Sequence, residues 1–162
     1  MLNDDRITPL SIALTLWDMG IVSEQCLIAW ADAQILAQEK PAYDLLEIAT
    51  KGAAVCLKQG VIETAQISLN DSEEFFIRAY LLALECDRSA ESFIIWASSN
   101  CFGSAEIPEG LLAYHLEHLY YDCEDVDAAI ALLRIELPKL MPRCESFAAP
   151  LLEQVSGLEL CV

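Results

Sequence analysis

The sequence predicts an all-α protein: about seven or eight helices in one compact domain over residues 1–162, an irregular bundle or a short solenoid-like array. Three observations predict it. Helix-opening residues and helix-closing glycines recur along the chain. The segments between them repeat apolar residues at the helical period. No run alternates apolar with polar beside a turn dipeptide, as a hairpin requires. With 162 residues, 55% of them hydrophobic, the chain can build one substantial core and is short for two ordinary domains.

The first helix opens at Pro9, whose fixed φ suits the first helical position, and ends at "WDMG", where Gly20 can take the left-handed conformation that closes a helix. Ser23 then caps "EQCLIAWADAQILAQ". At about 100° per residue, Leu27, Ile28, Trp30, Ala31 and Ile35 share one broad face, flanked by Gln25, Asp32 and Glu39. Pro41 begins "PAYDLLEIATKG", closed by Gly52, and residues 53–69 read as a helix broken near Gly60. In "NDSEEFFIRAYLLALECD", Asp71 and Glu74 have capping-box spacing. Its body from Phe75 to Cys86 is apolar nearly all round apart from Arg78 and Glu85, which marks a central helix. "SAESFIIWASSN" follows as another buried helix, then the loop "CFGSAEIPEG" and a helix from Leu111 to Tyr121. In the last third, "DVDAAIALLRIEL" is expected to stop at Pro138 and "PLLEQVSG" to run from Pro150 to Gly157, because proline removes a helical donor. "IAWA" at 28–31 and "IIWA" at 94–97 echo each other over four residues and are read as core packing rather than as a repeat.

Charge narrows the function. Twenty-six Asp and Glu stand against nine Lys and Arg, a net charge of −17. Such a surface repels nucleic-acid phosphates and anionic lipid and attracts basic proteins over a distance set by salt. Direct nucleic-acid binding is therefore not expected, and a positively charged protein partner is. "ITPLSIALTLW" offers eleven uncharged residues, far short of the roughly 20 that span a bilayer. "MLNDDRITPL" has no basic run ahead of an apolar stretch, so neither a secretory signal nor membrane association is expected and the location is read as cytoplasmic. Seven cysteines, an odd number without CxxC spacing, read as reduced core thiols. Cys26, Cys56 and Cys86 fall thirty apart, but their flanking residues do not echo.

The densest acidic stretch is "YYDCEDVDAAI", which carries Asp122, Glu124, Asp125 and Asp127. As a calcium loop beginning at Asp122 it fails: the sixth position is Asp127 where glycine is needed, and the twelfth is Leu133 rather than glutamate. A helix start explains part of it, with Asp122 or Asp125 as N-cap and neighbouring acids favoured by the positive end. One cap uses one side chain, so most of the carboxylates are left over. From Ser89 to Leu133 there are eight acidic residues and no Lys or Arg, so local i,i+4 pairing cannot neutralise them. Basic groups from other segments could still fold over them.

Both histidines lie in "LLAYHLEHLYY". Leu111, Leu112, Leu116 and Leu119 define the apolar arc of that helix, and His115 falls among them as a core-edge histidine. Tyr114, Glu117, His118 and Tyr121 follow the i, i+3, i+4, i+7 rule and share the opposite face. Aromatic anchors beside charge have the character of a protein interface. His115 and His118 lack a third ligand at known spacing, and no serine or cysteine sits in a strand–turn–helix elbow, so no metal, cofactor or catalytic residue is assigned. The candidate partner-binding residues are Tyr114, Glu117, His118, Tyr121, Asp122, Glu124, Asp125 and Asp127.

"LWDMGIVSEQCLIAWADAQI", from Leu16 to Ile35, resembles the opening of small helical immunity proteins of bacterial contact-dependent growth inhibition and related polymorphic toxin systems. Trp17, Asp18, Gly20, the capped helix from Ser23, and Trp30, Ala31 and Asp32 carry the likeness. The resemblance implies a cytosolic, non-enzymatic inhibitor of a cognate toxin domain, often a nuclease, and it transfers no residue role. The alternative expectation is an acidic helical adaptor or chaperone-like module with a partner that is not a toxin.

Overall fold

A computed structural model describes residues 7–100 and 105–161. The described residues are all-α, with no strand among them. In chain order the helices are α1 (Pro9–Asp18), α2 (Glu24–Leu36), α3 (Tyr43–Lys51), α4 (Ala53–Gln59), α5 (Asp71–Leu81), α6 (Asp87–Asn100) and α7 (Pro108–Glu117). A π-helical turn (His118–Asp122) and the long α8 (Val126–Glu153) complete the order. Their packing divides into two compact units: residues 7–68 with Leu151–Cys161, and residues 69–100 with 105–150.

In the first unit, α1 begins with a reciprocal cap. Thr8 Oγ1 accepts the Ser11 N–H (3.1 Å), and Ser11 Oγ accepts the Thr8 N–H (2.8 Å). Leu10 to Leu16 are all buried, so the hydroxyls among them need partners: Thr15 Oγ1 donates to the Ser11 carbonyl (2.7 Å) and accepts the Ile67 N–H (2.8 Å). Gly20 closes the helix at φ 75°, as its place after "WDM" predicts. Ser23 caps α2 through the Cys26 N–H at 3.1 Å. Gly52 at φ 80° links α3 to α4, and a β-carbon there would lie 2.1 Å from Glu24 Oε1. That carboxylate occupies the space because it caps α4, accepting the Ala54 N–H at 3.2 Å.

Beyond Gly60 the expected second half of a broken helix does not form, and residues 61–70 are irregular. Side chains from earlier helices take their backbone donors instead. Asp44 Oδ2 accepts the N–H of Glu63 (3.1 Å) and of Thr64 (2.8 Å), as well as the Thr64 hydroxyl (2.6 Å). An apolar-rich stretch leaves the helix here because side chains from α1 and α3 compete with the i→i−4 ladder for its amides.

In the second unit, the cap of α5 lies one residue earlier than the spacing of Asp71 and Glu74 suggests. Asn70 accepts the Glu73 N–H (3.0 Å), and Glu73 returns to the Asn70 N–H (2.9 Å). The helix ends at Leu81 rather than Cys86. Leu82 and Leu84 still pack against the core, and Arg134 holds the reversal by donating to the Leu84 carbonyl (3.2 Å) and pairing with Asp87. The core gathers Phe75, Phe93, Ile94, Leu112, Leu116 and Leu133 from four helices. Phe75 is fully buried and meets Phe76 and Phe93 edge-on, with centroids 6.3 and 5.3 Å away.

The separate segments expected on either side of Pro138 and Pro150 are one helix. α8 runs through Pro138, Pro142 and Pro150. Each of the three lies on the exposed side, while Leu133, Leu137, Leu140 and Cys144 face inward. The carbonyls that a proline strands are therefore on the wet face, where a gentle bend costs least.

Candidate functional site

α7 is tied to α8 by an ion pair with one buried partner. Glu109, in its first turn, is 2% exposed and accepts both arms of the Arg143 guanidinium from α8, at 2.8 and 3.4 Å. Of the eight acids in the stretch without basic residues, Glu109 is thus answered by an arginine from outside it. Burial beside these groups pushes the Cys144 thiol up to about 11, with the Glu109 charge adding to the effect. Leu112, Ala113 and Leu116 complete the inward face of α7, with Leu119 and Tyr120 half-buried after it. The Tyr120 hydroxyl donates to Glu91 Oε1 at 2.7 Å, and that bond raises the phenol's pKa.

This inward face is rotated from the arc that the leucines define. Leu111 and His115, placed on or beside that arc by the helical wheel, are both exposed. Glu109 and Ala113 take the inward positions instead, because an ion pair and a small residue fit against the neighbouring helices where the wheel favours large apolar groups. The His115 ring lies beside Tyr114, with centroids 5.8 Å apart.

The outward face carries the predicted residues. Tyr114, His118, Tyr121, Asp122, Glu124, Asp125 and Asp127 are exposed, and Glu117 is partly so. Tyr121 packs edge-on against Tyr120 at 4.9 Å between centroids, which holds one exposed ring in place. Asp125 is the N-cap of α8, its Oδ1 accepting the Ala128 N–H at 2.9 Å, and Asp122 Oδ2 lies 2.8 Å from His118 Nδ1. Among the described residues no Lys or Arg bridges Asp122, Glu124, Asp125 or Asp127; the ion pairs of lysine and arginine go to Glu47, Glu74, Asp87, Glu109 and Glu136.

The joint between α7 and α8 is a π-helical turn, a feature that the apolar periodicity does not signal. The Cys123 N–H reaches the His118 carbonyl at 3.0 Å, and the Asp125 N–H closes on Leu119 at 2.9 Å. Between them Glu124 adopts φ 52°, left-handed for a residue with a β-carbon. Glu124→Gly should therefore be more stable than Glu124→Gln by about 1 kcal/mol, after the extra chain entropy of glycine is counted. The difference would be read as a shift in urea midpoint; equal midpoints would mean the turn is unstrained. The same joint brings in Cys123, a residue absent from the predicted set, with Sγ 3.7 Å from His118 Nε2.

Among the described residues no group of three or more His, Cys, Asp or Glu converges as a metal site, and no helix is long and apolar enough to cross a membrane. A cleft of about 240 Å³ in the first unit, between Trp30, Leu45 and Thr64, has no titratable side chain among its lining residues. Compared with family models, with curated proteins and with solved structures, the chain matches none. The functional reading therefore rests on the geometry and charge of the site.

Proposed function

We propose that this chain is a cytoplasmic inhibitor that binds and neutralises a cognate basic toxin domain, a nuclease (RNase or DNase) in the leading case, by covering its substrate cleft. One observation supports the reading above the others. Asp122, Glu124, Asp125 and Asp127 are exposed beside Tyr114 and Tyr121, and no lysine or arginine of the described chain bridges them. A groove built to hold a polyanion is rich in Lys and Arg, and an acidic, aromatic face can occupy it. Tyr114, Glu117, His118 and Tyr121 would supply contact area and desolvated hydrogen bonds, while the carboxylates steer the encounter and pair with the partner's cations.

The decisive variant changes Asp122→Asn, Glu124→Gln and Asp127→Asn together and leaves Asp125 to cap α8. Its association rate with a toxin domain that co-purifies with the chain should fall about tenfold or more at low salt, and the gap should close as ionic strength rises. Stopped-flow association measured across a salt series is the test. A variant that associates as fast as the parent at every salt concentration would put the interface elsewhere.

A further inference from the structure

The turn that ends α7 builds a second arrangement, which shares His118 and Asp122 with the proposed partner face but does not require a partner. On an α-helix a residue five positions on lies about 140° round the axis. In the π-helical turn the Cys123 N–H instead bonds to the carbonyl of His118, five residues back, at 3.0 Å. His118 consequently stands between the two residues that follow the turn round. Its Nδ1 is 2.8 Å from Asp122 Oδ2, and its Nε2 is 3.7 Å from Cys123 Sγ. A neutral imidazole carrying its proton on Nδ1 satisfies both contacts: it donates to the carboxylate and presents a lone pair to the thiol. Nucleophile, base and the group that orients the base are thus in sequence, and all three side chains are exposed. Cys56 and Cys144, by contrast, are buried.

We propose that Cys123 is a thiol-modification site that exchanges with small disulfides, cationic ones preferred. His118 Nε2 takes the proton from Sγ, and Asp122 steadies the resulting imidazolium. The thiolate sulfur attacks one sulfur of the disulfide R–S–S–R, so an Sγ–S bond forms and the original S–S bond breaks. The departing RS⁻ takes the proton from the imidazolium and leaves as RSH, and the cysteine is left as the mixed disulfide Cys123–S–S–R. Asp122, Glu124, Asp125 and Asp127 surround the sulfur in the chain, and their charge favours a cationic disulfide over an anionic one.

The test is to incubate the native protein at pH 7 with cystamine, or separately with oxidised glutathione, and to follow adduct formation at each cysteine by peptide mass mapping. Cys161, also exposed, is the internal reference, so the comparison within the unaltered protein does not depend on any variant folding. Cys123 should gain the cystamine adduct about a hundredfold faster than Cys161, the low end of what base assistance supplies. It should also react faster with cystamine than with oxidised glutathione. His118→Gln should bring Cys123 down to the rate of Cys161 while leaving Cys161 unchanged. Equal rates at Cys123 and Cys161 in the parent, or a rate at Cys123 that His118→Gln does not alter, would overturn the proposal; equal rates with the two disulfides would overturn the preference for cations.

Discussion

Arg143→Met is expected to cost about 3 kcal/mol of stability, the low end of what breaking a buried ion pair costs. The size follows from the partner left behind. Glu109 is 2% exposed and takes both arms of the guanidinium, so without Arg143 a carboxylate stays buried with no counter-charge. Arg143 itself is half-exposed, and water already shares part of its charge, which places the loss at the lower end. Its guanidinium also sits 5.0 Å from the centre of the Phe76 ring, a contact worth about 0.5–1 kcal/mol that methionine only partly replaces. The double change Glu109→Met with Arg143→Met should recover most of the loss, since an apolar pair of similar volume needs no charge satisfied. Urea denaturation of the parent, the single variant and the double variant measures both effects. A double variant no more stable than Arg143→Met would mean that the pair is not what anchors α7.

Phe75→Ala should be of comparable size, about 3–5 kcal/mol, or roughly 10 °C in midpoint for a chain of this length. Phe75 is fully buried, with edge-on neighbours in Phe76 and Phe93. Truncation removes the ring's transfer energy and both aromatic contacts, and it opens a void that helices held on several sides cannot collapse to fill. Phe75→Leu leaves less of a void and should cost less than half as much. Thermal melts of the two variants check the order, and similar midpoints for both would show a core that repacks freely around this position.

The helical elements were largely legible in the residues. Pro9, Gly20, Ser23 and Gly52 carry their meaning locally, because a fixed φ, a missing β-carbon or a short hydroxyl acts on the backbone within one turn. The exposure of Tyr114, His118 and Tyr121 followed from helical period, and the cap at Asp125 from the position of an acid before an apolar run. The departures share one cause. Pro138 is expected to stop one helix and Pro150 to start another, yet whether a proline interrupts a helix depends on whether the carbonyl it strands faces water. Residues 61–69 are expected to continue a helix beyond its break near Gly60, yet Asp44 and Thr15, far away in the chain, claim the amides of Glu63, Thr64 and Ile67.

By itself the chain determined that it is helical, strongly acidic, and bare of basic residues from Ser89 to Leu133, since composition, period and capping are properties of neighbours along the backbone. Only the tertiary structure decided which acid is neutralised from outside that stretch, which face of α7 turns inward, and that His118 stands between Asp122 and Cys123. Those outcomes depend on side chains meeting from distant helices and on one π-helical turn that shifts the register, and no local pattern encodes either.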